Sequence, residues 1–286
     1  MLDVDVRSFF DRISHTWLIK FMEHRIGDQR IMRLIQKWLN AGVLEEGKRI
    51  YKQEGSPHGG SASPLLANVY LHYVFDVWAQ SWKKKHAEGE MMITRYADDI
   101  VMGFQSKGEA ERFLAELKER MEKFQLELHP EKTRLLEFGR FAAKDRKRRG
   151  EGKPETFNFL GFTHICGKTR RGEYAIRRQT IRQRMQTKLK EIKQELKRRM
   201  HDPIPEVGQW LKMVVSGHNR YFGVPTNTPA LNQFRRAVGA LWQPVLSRRS
   251  QKGFVPWERM KGLIKRWLPP ARICHPYPTH RARVNT

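Results

Sequence analysis

Apolar positions along the chain change their period several times, and each change marks an element. Residues 2–10 read as a short strand running into a turn. Trp17, Leu18, Phe21 and Met22 then recur at helical spacing, and Ile31, Leu34, Ile35, Trp38 and Leu39 repeat the pattern. A Gly/Pro-rich loop at 55–60 leads into an apolar helix carrying Leu65, Leu66, Val69, Tyr70, Tyr73, Val74 and Val77. Residues 91–94 and 100–104 read as two strands flanking a tight turn at Tyr96-Ala97-Asp98-Asp99. Ser106 with Glu109 three residues on is a capping box. It opens a helix whose face holds Ala110, Phe113, Leu114, Leu117, Met121 and Phe124, expected to end at His129-Pro130. Residues 144–154 read as a charged loop and residues 157–162 as one further strand.

Past this point the period is helical. Ile181, Met185, Leu189, Ile192, Leu196 and Met200 step by three or four, with Arg and Lys on the other faces, until Asp202-Pro203-Ile204-Pro205 breaks the run. Later helical stretches carry Trp210, Leu211, Val214 and Val215, then Phe234, Val238, Leu241 and Trp242, then Trp257, Met260, Leu263, Ile264 and Trp267. The expected organisation is an α+β domain over 1–162 and a basic all-helical domain over 163–286.

Charge sharpens that division. The chain of 286 residues carries 55 Lys+Arg against 30 Asp+Glu, a net +25. Residues 163–286 hold 27 basic and 6 acidic side chains, a net +21, which leaves +4 for the first 162. Such an imbalance is the footprint of a polyanion partner, nucleic acid first. An anionic membrane surface is the competitor, but no apolar run is long enough to span a bilayer, and no membrane partner is expected. Cys166 and Cys274 form no CxxC pair, which argues against a zinc site or a disulfide framework and fits a reducing cytosol.

The acidic residues that remain in the first part suggest chemistry. Two-metal phosphoryl transfer needs carboxylates that share two divalent ions, and hard cations such as Mg²⁺ take oxygen ligands. Asp98-Asp99 sits in a turn between two apolar strands, and Asp5 ends an apolar strand followed by Phe9-Phe10. If these strands are neighbours in one sheet, the three carboxylates converge at one edge. An Asp-Asp pair is also common in plain turns, and spacing alone does not choose among Asp3, Asp5 and Asp11.

Four blocks in a fixed order resemble reverse transcriptases of the group II intron type. Tyr96-Ala97-Asp98-Asp99, within Arg95 to Val101, looks like the family's signature turn. Asp5-Val6-Arg7-Ser8-Phe9-Phe10-Asp11, followed by Ile13 and His15, is similar to the first palm motif. Residues 55–68, from Gly55-Ser56-Pro57-His58-Gly59-Gly60 to Asn68, are similar to the second, with His58 where the family more often has Gln. Leu128-His129-Pro130-Glu131-Lys132-Thr133 and Phe157-Asn158-Phe159-Leu160-Gly161-Phe162 resemble the later palm blocks. Gly217 to Pro225, Arg248-Arg249-Ser250-Gln251-Lys252 and His275-Pro276-Tyr277-Pro278 look like the thumb or maturase region, so the resemblance covers nearly all of the chain.

The resemblance implies an antiparallel polymerase palm flanked by helices, then a helical thumb. It implies two Mg²⁺ held by Asp5, the Val6 carbonyl, Asp98 and Asp99. Phe10 falls where the family excludes a ribose 2′-OH. Gly59 and Gly60 would let backbone approach the nucleotide, as a Cβ would not. Lys132 falls near the pyrophosphate leaving group, a solvated helix-end lysine being the alternative. Phe159, Leu160 and Gly161 would form a primer-contacting strand. Arg178, Arg182, Lys188, Arg220, Arg248, Arg249 and Lys252 are the candidate RNA contacts.

The implied partners are group II intron RNA, an RNA template with its DNA primer, and dNTP. The implied setting is a bacterial cytoplasm, nucleoid- or RNP-associated. Met1 lies four residues before Asp5, where the family has fingers, so a truncated form is expected. Helix faces with Trp17, Phe21 and Trp38 would then be exposed and favour self-association, a homodimer included. Two alternatives to the polymerase remain: a non-catalytic RNA-binding splicing cofactor, and an inactive relic of the full-length protein.

Overall fold

The computed structural model describes residues 1–40, 43–45, 48–50, 55, 62–169, 171–249 and 253–276, with backbone alone for the two short strands at 43–50. The chain divides into two compact units, Met1–Glu137 and Phe138–Thr286.

The first unit is built on a four-stranded antiparallel sheet in the order β4-β5-β1-β6. Its strands are β1 (Leu2–Val4), β4 (Met92–Tyr96), β5 (Asp99–Gly103) and β6 (Arg134–Leu135). The pairing sets Leu2 opposite Met102 and Val4 opposite Ile100, all four buried. Because side chains alternate across a strand, Asp3 and its partner Val101 take the other face. Helices cover the apolar face: α1 (His15–Glu23), α2 (Gln29–Leu39), α3 (Ser63–Leu71), α4 (Val77–His86) and α5 (Lys107–Lys123). They bring Leu18, Phe21, Tyr70, Phe75, Phe113 and Leu117 into the same core as Leu2 and Ile100. A separate antiparallel pair joins β2 (Val43–Glu45) and β3 (Lys48–Ile50).

α3 and α4 are one continuous helix interrupted by a π segment, His72–Asp76. The helix expected from Leu65 to Val77 thus extends from Ser63 to His86. α5 starts as expected, with Ser106 Oγ accepting from the Glu109 amide at 3.1 Å. It ends at Lys123, before the expected His129-Pro130, because Gln125 turns into the left-handed region. Leu126 and Leu128 then return extended and buried, bridging Leu128 to Val6. The expected exposure of the α1 and α2 faces holds for Trp38, which is 47% exposed, but not for Phe21, buried against Tyr70, Tyr73 and Phe124.

The second unit corrects the expectation of an all-helical domain after residue 162. A three-stranded antiparallel sheet, β7 (Phe157–Phe159), β8 (Phe162–Lys168) and β9 (Tyr174–Thr180), precedes its bundle. β8 and β9 leave no apolar run, because Thr, His, Lys, Arg and Gln occupy half their positions. The residues expected to form one strand at 157–162 are a hairpin. Phe159 pairs with Phe162 across a two-residue loop in which Leu160 (φ 47°) and Gly161 (φ 81°) both lie at positive φ. That is the geometry whose twist matches the flanking strands. The charged stretch at 144–154, expected as a loop, begins inside α6 (Ala142–Arg148), since Ala, Lys and Arg are good helix formers whatever their charge.

The bundle comprises α7 (Arg182–Arg198), α8 (Ile204–Phe222), α9 (Thr228–Ser247) and α10 (Trp257–Trp267). Its core holds Ile192, Leu196, Leu211, Val215, Phe234, Val238, Trp242 and Met260. Asn227, 1% exposed, ties sheet to bundle. Its Oδ1 accepts from the Thr180 amide at 3.0 Å, and its Nδ2 donates to Thr180 Oγ1 and the Phe222 carbonyl, each at 2.8 Å. The expected boundary at 162/163 falls inside the β7–β8–β9 sheet, whereas the compact units part at 137/138.

Candidate active site

The carboxylates gather at one edge of the first sheet. The register ends with Val4 opposite Ile100, so the next residues along are Asp5 after β1 and Asp99 at the start of β5. Alternation sends both to the face of Asp3 and away from the core. Asp98 lies beside them in the hairpin loop, because Tyr96 pairs with Asp99 and only Ala97 and Asp98 intervene. Ala97 has φ 53°, in a region that L side chains seldom adopt. Residues held in sparsely populated backbone regions cluster at active sites, where surrounding structure must impose them.

The chain after Asp5 is pinned on both sides. The Arg7 amide donates to the Glu127 carbonyl and the His129 amide to the Asp5 carbonyl, each at 2.8 Å. These two bonds close the Val6–Leu128 bridge without using the carbonyl of Val6. Glu127 accepts from Arg12 at 2.7 Å and Arg7 at 3.4 Å, and the hydrogen bond from Arg12 chiefly holds its carboxyl below the usual range. Gly55 donates its amide to the Ile13 carbonyl at 2.8 Å, and its own carbonyl lies 2.6 Å from His15 Nε2. A Cβ on Gly55 would lie 3.0 Å from the Asp11 carbonyl, so the segment after β1 and the chain at Gly55 meet where only glycine fits.

Lys132 reaches this edge, its Nζ 3.5 Å from Asp5 Oδ2. Arg134 lies 3.3 Å from Asp3 Oδ2. Burial raises the Asp3 carboxyl pKa against the pull of Arg134, and the charges of Asp99 and Asp5 push it further the same way. Negative charge is therefore concentrated here. Among the described residues no three His, Cys, Asp or Glu side chains are drawn into a ready-made ligand shell. The donors at the edge are nevertheless all hard oxygens, and an ammonium already sits beside Asp5, so their chemistry suits divalent cations such as Mg²⁺.

The other expected residues are distributed as follows. Phe10 packs partly buried against the core and 5.3 Å from buried Phe9. Gly59, Gly60 and Lys252 lie outside the described residues, as do His58 and Tyr277-Pro278. Phe159, Leu160 and Gly161 belong to the second unit and form the hairpin end, where Tyr221 OH donates to the Leu160 carbonyl at 3.1 Å. Arg182, Lys188, Arg220 and Arg248 are exposed, and Lys188 bonds Glu191 at 2.8 Å. Arg178 and Arg249 are half-buried.

Reasoning from sequence missed the brace beneath the Ala97-Asp98 turn. Arg95, only 14% exposed, grips Asp76 through Nε at 2.7 Å and Nη2 at 2.6 Å. Its Nη1 donates to Asn68 Oδ1 at 2.9 Å and to the Ala97 carbonyl at 3.0 Å. The available signal was an arginine inside an otherwise apolar strand and an aspartate in the middle of an apolar helix.

An antiparallel sheet backed by helices, with a carboxylate-bearing hairpin, places the first unit in the α+β palm class. Residues 1–164 match the reverse transcriptase (RNA-dependent DNA polymerase) family, and the chain belongs to it. It is 44% identical over 68 residues to the group II intron-encoded protein LtrA of Lactococcus lactis, covering 24% of this chain and 11% of that protein. Over 71 residues it is 45% identical to a 91 kDa protein in the cob intron of Schizosaccharomyces pombe, covering 25% and 9%. Protein YkfC of Escherichia coli aligns over 206 residues at 29% identity, covering 62% of this chain and 49% of YkfC. The chain thus spans at most about half the length of these relatives. Among the described residues no helix is long and apolar enough to cross a membrane.

Proposed function

We propose that the chain carries the nucleotidyl-transfer centre of a group II intron reverse transcriptase, together with a maturase surface for the intron RNA. The observation that carries this reading is the register that brings Asp5 and Asp99 to one sheet edge, with Asp98 in the adjoining turn. Asp5, Asp98, Asp99 and the Val6 carbonyl would hold two Mg²⁺. When bound, the ions would activate the primer 3′-hydroxyl and stabilise the leaving pyrophosphate. Lys132 is close enough to Asp5 to take up charge on the departing phosphates. Phe10 would line the sugar pocket, with Gly59 and Gly60 against the nucleotide and Phe159, Leu160 and Gly161 against the primer. The first unit would serve as the palm core and the basic bundle α7–α10 as thumb and maturase region.

The splicing-cofactor reading is favoured by a different observation. The first compact unit holds 21 basic and 21 acidic residues, whereas the second holds 34 and 9, so the whole net charge of +25 lies in Phe138–Thr286. Arg178, Arg182, Lys188, Arg220, Arg248, Arg249 and Lys252 belong to that second unit and would contact RNA phosphates. Template–primer extension with Mg²⁺ and dNTP separates the two readings. Under the polymerase reading, Asp98→Ala removes several kcal/mol of transition-state stabilisation, on the order of a thousandfold in rate. RNA affinity stays unchanged. Equal extension by the wild type and Asp98→Ala would remove the catalytic assignment.

A further inference from the structure

We infer that Arg95, Asp76 and Asn68 are positioning residues that hold the catalytic turn Ala97-Asp98 in its strained shape. The inference rests on the carboxylate reading above and names what sets the geometry of that site.

Arg95 pairs with Ile100, so its side chain leaves β4 on the core face, where a charge is costly unless fully partnered. Four of the five guanidinium N–H groups are used: two on the Asp76 carboxylate, one on Asn68 and one on the Ala97 carbonyl. The fork–fork contact with Asp76 fixes the guanidinium plane. The plane in turn fixes where the Ala97 carbonyl lies, and hence the peptide leading into Asp98. Asn68 is itself held, its Nδ2 donating to the Pro64 carbonyl at 3.0 Å.

The π segment explains how one helix supplies both partners. At 3.6 residues per turn, eight residues carry a side chain about 80° past two full turns. Asn68 and Asp76 would then point to different sectors. The wide turn at His72–Asp76 absorbs one extra residue, so Asp76 returns nearly above Asn68 and both meet one guanidinium. The irregularity in α3–α4 thus has a geometric consequence at the carboxylates, some twenty residues further on in sequence.

A lysine cannot reproduce this arrangement, because a single ammonium lacks the planar fork. The test compares wild type, Arg95→Lys and Asn68→Ala. Asn68→Ala removes a neutral, exposed partner without burying a lone charge, and so keeps the fold if the arginine variant does not. Hydrogen exchange at the amides of residues 96–99 reports the brace without reference to activity. We expect exchange there to rise about tenfold or more in both variants, with exchange in the β1–β5 core unchanged. In primer extension kcat falls, up to about a hundredfold for Arg95→Lys, as misplacement of a catalytic group by about an ångström costs. The Mg²⁺ concentration for half-maximal rate rises, while KM for the template–primer stays the same. Wild-type exchange at 96–99 in both variants overturns the inference. If the wild type does not extend a primer at all, the polymerase reading fails, and the exchange result alone decides the brace.

Discussion

The second unit contains a histidine that should set its acid stability. His218 is 9% exposed and stacked on Phe234 at 3.6 Å between ring centroids and 10° between planes, with Phe222 at 4.6 Å. Its Nε2 is buried and has no hydrogen-bond partner among the described residues. Burial first, and the charge of Lys188 second, push its pKa down to about 4 from the ordinary 6.5. In the unfolded chain the ring takes a proton near pH 6.5, whereas in the folded chain it stays neutral until about pH 4. Between those values the unfolded state binds more protons, so stability is complete above 6.5 and is lost as pH falls towards 4. At about 1.36 kcal/mol per pKa unit, that is roughly 2–3 kcal/mol lost between pH 7 and 4.5. Urea unfolding at both pH values, in wild type and in His218→Phe, isolates the effect. The phenyl ring keeps the stack and cannot titrate, so the variant's drop should be smaller by about that amount. His164 is shifted the same way by its own burial and remains in both proteins, so it cancels from the comparison. Equal drops in the two proteins would refute the reasoning.

Gly208→Ala in α8 would place a Cβ 2.4 Å from the Trp267 ring. The helix-propensity gain of about 0.5–1 kcal/mol is outweighed by about 1–3 kcal/mol of overpacking, and a lower thermal midpoint should show it. RNA binding should weaken steeply with salt, by roughly 0.7–0.9 in log affinity per log salt for each phosphate contacted. Asp98→Ala with Asp99→Ala should leave that slope unchanged in a filter-binding titration, and a shallower slope would mean that the carboxylate edge takes part in RNA binding.

Elements with a clean period were legible in the sequence. The first strand, the helical faces of α1, α2 and α7, and the paired strands about Tyr96–Asp99 stand close to where the pattern put them, and α5 starts at its capping box. The pattern failed where polarity and secondary structure part company. β8 and β9 are strands with half their positions polar, and α6 is a helix whose charge suggested a loop. The placement of Asp5 beside Asp99 depends on which strand pairs with which, and only the shared resemblance of four blocks, not spacing, chose Asp5 over Asp3. Arg95 was visible only as context for the turn. Its partners lie 27 and 19 residues away, and their meeting depends on a π turn that no hydrophobic period announces.

The distribution of charge and the strain at Ala97 bear on one physical problem. Under the proposed function, an edge that concentrates three carboxylates repels the phosphates it would have to bring close, and a basic surround would relieve that repulsion only by drawing the same carboxylates into ion pairs. Here the unit with the carboxylate edge is electrically balanced, and the excess of 25 positive charges belongs to the other unit. Lys132 does touch Asp5, but at 3.5 Å and with the ammonium exposed, where a pair is worth at most about 1 kcal/mol and yields readily to a divalent ion. Arg134 reaches only the more buried Asp3, at 3.3 Å. The strong, buried arginine contact is spent on the backbone of the turn and on Asp76, not on Asp98 or Asp99. Arg95 can therefore shape the carboxylate-bearing turn without neutralising it. On this argument an arginine added on the solvent side of the sheet, as in Thr94→Arg at the exposed partner of Val101, would raise the Mg²⁺ concentration for half-maximal primer extension even though it adds charge favourable to RNA.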